Sequence, residues 1–403
     1  MPNLFDYLDW RGDLALDEAP LCEVDNVAFS LLAYVNLDGT VPPPREGSIP
    51  LREAAKEYFF LHPEEPPRPL GLIVPGDIVT LFRRMSECRR YRDLLVGGYV
   101  NEVCEEREMQ FSAITLTLPD ESRFVAFRGT DDTLVGWRED FNLSFMDEIP
   151  SQRKATDYID CLDLPPDSGL YLGGHSKGGN LAVYAAVHAS EETRRHIRRV
   201  YSNDGPGFTD EFLTSEAYLT IADRVCRLQP DSSLVGLLLK HDGSYTVIKS
   251  SSRGFLQHNS LSWEIMGSSF VRGEGLSKQG IHADTVVRER IDSMSREEKA
   301  TLVRLIFTVL ESTGAKTLTD LYKDGLRSAF AMLKTYTGMT AEERETATYL
   351  WGKLFGSKVP TLAIKASPKP APTQKTRPAP RRMPPRDRDG KITIEWFPLL
   401  RNH

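Results

Sequence analysis

The spacing of apolar positions changes character several times along the chain. Val27, Leu31, Leu32 and Val35 recur at helical intervals behind Asp25, a residue suited to an N-cap, and predict a helix to about Leu37. A Gly/Pro loop over 38–50 separates it from a short helix near 51–60. Ile78, Leu81, Phe82 and Met85 then place another helix over 76–88. From about 99 the period falls to two. A strand near 99–105 is followed by Phe111–Leu118, a turn at Pro119–Ser122 and Arg123–Phe127, which together read as a β-hairpin. Residues 131–150 show no single period, and a helix is expected near 151–162. Short strands and helices then alternate: strand 169–174, helix to about 189, strand 197–202, helix 209–219, strand 225–228 and a last strand at 245–248. This alternation predicts a mostly parallel central sheet covered on both faces, with the antiparallel hairpin at one edge. From 284 the helical period persists, with helices near 284–293, 296–312, 319–336 and 341–355. Capping boxes stand at Ser295–Glu298 and Thr340–Glu343.

The pattern divides the chain into an α/β domain over 1–283, a helical appendage over 284–356, a basic Pro-rich linker over 357–390 and an apolar terminal segment over 391–403. The linker has too few apolar side chains to form a core and is expected to be disordered. The terminal segment has the pattern of a docking strand. Charge follows the same division. The whole chain of 403 residues carries −7, but residues 357–403 hold eleven Lys/Arg against three Asp/Glu, which leaves −15 on the remainder. An acidic body does not suit nucleic acid, whereas the basic tail suits an anionic membrane surface. No apolar run has the length of a membrane span and the first residues do not read as a signal peptide. The five cysteines are scattered, without metal-site spacing. A cytoplasmic protein with reduced thiols is expected.

Chemistry concentrates at Gly174-His175-Ser176-Lys177-Gly178. An apolar strand precedes it and a small-residue helix follows. This is the G-x-S-x-G arrangement in which a serine is thrust out at a sharp strand-to-helix turn. Gly174 and Gly178 leave room for the turn, and the N–H of Lys177 falls at a helix N-terminus, where it can hold an oxyanion. Ser176 is therefore the candidate nucleophile. It needs a histidine base, and the base needs an acid to orient it. Among His188, His196, His241, His258 and His282, His258 follows the last strand, where an α/β-hydrolase fold places its base. Asp204 and Asp231 both end strands after Ser176. Asp231, on the later strand, is the preferred acid and Asp204 the alternative. A second oxyanion donor is expected from Thr130, which follows Gly129 at a strand end and offers both an N–H and a hydroxyl. Arg128 and Asp140 are expected to pair and hold that loop.

These residues resemble the fungal-type class 3 triacylglycerol lipases. The resemblance lies in Phe127-Arg-Gly-Thr130 with Trp137 and Asp140, in the elbow with Gly179-Asn-Leu-Ala182, and in Asp231 and His258 before Trp263. A bacterial family of lipase-like α/β-hydrolases, largely of unassigned activity, is more similar still. Its members begin much like Tyr7–Leu14 and Asp25–Tyr34, and the similarity covers about residues 4–290. The resemblance implies Ser176 as nucleophile, Asp231 as acid, His258 as base, and Thr130 and Lys177 as the oxyanion hole. It also implies a lid or acyl pocket over roughly 132–148, with Phe141, Leu143, Phe145 and Met146. Two departures point away from long-chain triglyceride. Lys177 replaces an apolar residue, and the lid counterpart is acidic.

The reading at this level is a serine hydrolase of carboxylic esters, lipid-like in preference, working through an acyl-enzyme without metal or organic cofactor. An acyltransferase with the same triad, or a non-catalytic scaffold acting through the C-terminal tail, are the alternatives.

Overall fold

A computed structural model describes residues 1–63, 70, 76–233, 235, 239–277, 285–286 and 289–355. His282, the 357–390 linker and the 391–403 segment lie outside the described residues. Among those described, eight strands form one sheet in sequence order. They are β1 (Ser48–Pro50), β2 (Leu95–Cys104), β3 (Met109–Thr117), β4 (Arg123–Phe127), β5 (Leu170–His175), β6 (Ile197–Asn203), β7 (Val225–Pro230) and β8 (Thr246–Ile248). β1 to β4 pair antiparallel. β4 to β8 pair parallel. The hairpin thus sits at one edge of an α/β-hydrolase fold, as the period change predicts.

Side chains alternate across the sheet. Ile114, Leu116, Phe124 and Ala126 enter one core with Val24, Val27 and Phe29 of α2 (Glu23–Leu32) and Leu81 and Phe82 of α4 (Asp77–Glu87). Phe111, Ala113, Val125 and Phe127 enter the other with α6 (Pro150–Asp160) and α7 (Lys177–His188). Between α2 and α4 lies α3 (Leu51–Leu61). After α7 comes α8 (Glu191–His196), and the expected helix at 209–219 is two single turns, α9 (Asp210–Leu213) and α10 (Glu216–Leu219), each capped by its own hydroxyl residue.

Three elements carry too weak a pattern to be expected. α1 (Leu4–Arg11) is short and starts at an Asn3/Asp6 capping box. β1 sits in the Gly/Pro loop and gains its identity from pairing with β2. α5 (Leu134–Asn142) occupies the aperiodic stretch, because its apolar residues face two different partners.

The described residues belong to one compact unit. It includes α11 (Arg296–Glu311), whose Val303 and Phe307 pack on Leu134 of α5. Both predicted capping boxes form, Ser295 with Glu298 and Thr340 with Glu343. No helix among the described residues is long and apolar enough to cross a membrane.

Register decides where the loops meet. Phe127 pairs with Gly174, His175 with Asn203, and Asn203 with Leu228. The residues following β4, β5 and β6 therefore emerge side by side at the carboxyl end of the sheet.

Candidate active site

Ser176 follows β5 and caps α7 with φ 58° and ψ −134°, outside the ordinary backbone basins for a residue with a Cβ. The conformation is held by its surroundings. A Cβ on Gly174 would come 2.2 Å from the Gly178 carbonyl carbon, and one on Gly178 would come 2.1 Å from the Phe127 oxygen. The Ser176 N–H donates to the Asn203 carbonyl at 3.0 Å. Lys177 is the first residue of α7, so its N–H has no intrahelical acceptor.

His258 presents Nδ1 to Asp204 Oδ2 at 2.6 Å, with the Asp204 side chain wholly buried and the imidazole nearly so. The structure thus brings Asp204, the alternative acid, rather than Asp231 to His258. Asp231 Oδ1 instead accepts from Ser232 Oγ at 2.8 Å and from Gln257 Nε2 at 3.0 Å, so it braces the residue preceding the histidine. The reason is sheet order. β6 is adjacent to β5 and β7 is one strand further out, each strand step being about 4.8 Å. Asp204 itself has φ 51°, which turns the chain sharply after β6.

His175 stands in the same cluster. Its Nε2 lies 2.7 Å from the His258 carbonyl oxygen and its Nδ1 lies 3.0 Å from the Tyr34 hydroxyl. A carbonyl only accepts, so Nε2 carries the proton and Nδ1 accepts from Tyr34. Burial, and then the nearby charge of His258, push the His175 pKa well below the usual histidine range. The two imidazoles lie 4.5 Å apart between centroids, which sets the His258 ring beside the elbow. The x position of G-x-S-x-G is the only local hint of this role.

The loop after β4 closes over the same point. A Cβ on Gly129 would lie 2.1 Å from the Tyr34 hydroxyl, 2.5 Å from the His175 oxygen and 3.0 Å from Ser176 Cβ. The Thr130 hydroxyl donates to Asp140 Oδ2. That commits its proton to the carboxylate and leaves the backbone N–H as the donor Thr130 can offer a substrate. Arg128 pairs with Asp131 at 3.0 Å, so the expected Arg128–Asp140 pair is replaced by two shorter links. Burial raises the Asp140 pKa to about 6, against the lowering influence of the Lys177 ammonium and the Thr130 hydroxyl. The Lys177 side chain does not point out beside the Ser176 hydroxyl. It is fully buried and reaches Glu139 Oε2 at 2.7 Å.

The expected lid is a packed helix and turn. Phe141, 38% exposed, meets Phe307 edge-on at 5.9 Å. Phe145 joins Trp137 on the Leu134–Val303–Phe307 cluster, while Leu143 and Met146 pack on the core of the α7 face. α5 and the turn that follows it direct these side chains toward α11 and the core. Residues 316–319 continue this cover: the Leu318 N–H donates to the Asp132 carbonyl at 2.9 Å and the Thr319 N–H to Asp132 Oδ2 at 3.0 Å. Met146 does line a cavity of about 310 Å³, but with Met109, Pro150 and Asp157 rather than with Ser176 or His258.

The other candidate histidines among the described residues are engaged elsewhere. His188 stacks on Tyr184 at 4.0 Å, His196 donates from Nδ1 to the Ser168 carbonyl at 2.8 Å, and His241 lies against Tyr245.

No curated protein matches the chain. Among solved structures it is similar to M37 lipase (14% identity, 52% of this chain and 68% of that one, TM-score 0.33). It is also similar to Rhizomucor miehei lipase in its propeptide complex (14% identity, 47% and 70%, TM-score 0.32). A third is Lip2 lipase from Yarrowia lipolytica (12% identity, 63% and 86%, TM-score 0.30). The family model described as Mbeg1-like matches residues 85–308, more than half of the chain and the stretch that carries Ser176, Asp204 and His258. The chain belongs to the Mbeg1-like family.

Proposed function

We propose that this protein is a serine hydrolase of carboxylic esters, with Ser176 as nucleophile, His258 as base and Asp204 as the acid that orients it. The observation that carries the reading is the 2.6 Å contact of Asp204 with His258 Nδ1, beside a serine held at positive φ. With Nδ1 engaged, His258 Nε2 takes the Ser176 hydroxyl proton as Oγ attacks the acyl carbon. The negative oxygen of the tetrahedral intermediate is met by the N–H groups of Thr130 and Lys177. The intermediate collapses, the bond to the leaving alkoxide breaks, and that oxygen takes the proton from His258. Water, deprotonated by the same nitrogen, then releases the carboxylic acid from Ser176. Lipid-like esters remain the preferred class.

A fluorophosphonate probe tests the assignment directly. Wild type should form a covalent adduct and Ser176→Ala should not. Equal labelling of the two proteins would remove Ser176 from the mechanism. A series of p-nitrophenyl esters of increasing acyl length then ranks the substrates.

A further inference from the structure

We propose that the buried Lys177–Glu139 ion pair is a positioning device that fixes the spacing between the two oxyanion donors. The inference rests on the serine-hydrolase reading above and extends it to side chains that touch no substrate.

Lys177 offers its backbone N–H at the start of α7 while its side chain runs into the interior. Nζ donates to Glu139 Oε2 at 2.7 Å, to the Gln110 carbonyl at 2.9 Å and to Gln110 Oε1 at 3.0 Å. An ammonium has three protons, and all three are placed. Glu139 is held just as fully. Its Oε2 also accepts from the Gln110 N–H at 3.1 Å, and its Oε1 from the Ser151 N–H at 2.9 Å. Both side chains are completely buried.

The next residue of α5 is Asp140, which accepts the Thr130 hydroxyl. A continuous path therefore joins the two donors: the Lys177 backbone, its ammonium, Glu139, the peptide to Asp140, and Thr130. Gln110 of β3 ties the path to the sheet. Packing alone does not call for this arrangement, because an apolar pair of similar volume is often at least as stable as a buried ion pair. What a charged pair with every hydrogen bond satisfied adds is one permitted geometry. Here that geometry sets where α5, and hence Thr130, stands relative to the first turn of α7.

Three variants test the proposal: Lys177→Met, Glu139→Gln and the double variant K177M/E139Q. The readouts are melting temperature, kcat and KM on a p-nitrophenyl ester, and affinity for an alkyl boronic acid. The boronic acid becomes tetrahedral on Ser176 and so reports the oxyanion hole. Lys177→Met leaves a buried carboxylate without its partner and should lower the melting temperature. The double variant should recover that stability. Its kcat should nonetheless stay down by about 10²-fold, the scale of one weakened oxyanion donor, with KM little changed and boronate affinity reduced in step with kcat. Wild-type kcat and boronate affinity in a double variant of wild-type stability would make the pair purely structural and overturn the proposal. Should the double variant not fold, Glu139→Gln alone decides: the same split of kcat from KM supports positioning, and unchanged kcat overturns it. Wild-type protein inert to every ester and to the fluorophosphonate would instead refute the hydrolase reading beneath it.

Discussion

Asp204 Oδ2 lies 2.6 Å from His258 Nδ1, across 54 residues of sequence, while Asp231 is spent on Gln257 and Ser232. The two carboxylates thus act on the same histidine loop in different ways. Asp204 fixes the imidazole tautomer; Asp231 steadies the backbone before it. Asp204→Asn should lower kcat by about 10⁴-fold, the loss known when an amide replaces a triad acid. Asp231→Asn keeps an oxygen that can accept from Gln257 and should leave kcat near wild type. Steady-state kinetics on one ester distinguishes them, and the reverse ranking would restore Asp231 as the acid.

His175 supports the same loop from the other side, and its neutrality has a measurable consequence. Its pKa lies well below the unfolded value of 6.5. Between the two values the unfolded chain binds a proton that the native chain does not, so stability is full above 6.5 and declines as pH falls below it. His175→Gln keeps a donor for the His258 carbonyl but does not titrate. Melting temperatures from pH 7.5 to 5 should fall more steeply for wild type than for the variant. Parallel curves would mean that His175 titrates normally in the folded protein.

Asp132 joins the loop after β4 to residues that follow α11. The Thr319 N–H donates to its carboxylate and the Leu318 N–H to its carbonyl. Loss of a hydrogen bond to a charged group costs about 1.5–3 kcal/mol. Asp132→Ala should lower stability by that amount, read from the urea midpoint, and should speed proteolytic cleavage between 312 and 318. A midpoint unchanged from wild type would show that the C-terminal helices hold this loop by apolar packing alone.

Sequence patterns were most legible where structure depends on neighbours in the chain. The hairpin, the elbow turn and the two capping boxes each follow from a few adjacent residues, and each has its expected shape. α5 was not legible. Its Leu134 and Trp137 belong to a cluster with Val303 and Phe307, residues from another part of the chain, so no single apolar face marks the helix in advance. The packing of Phe141, Leu143, Phe145 and Met146 was not legible for the same reason, since their partners are supplied by α11 and by the α7-side core.

The sequence by itself determined that one serine stands on a strained strand-to-helix turn, with Gly129 and Thr130 before it and acids and a histidine after it, because sterics and hydrogen bonding within a few residues dictate such turns. Tertiary structure alone decided that Asp204 rather than Asp231 meets His258, and that Lys177 turns inward to Glu139. Those choices depend on which strand lies beside β5 and on how α5 sits against the first turn of α7, and sheet order and helix packing are set by contacts between residues far apart in the chain.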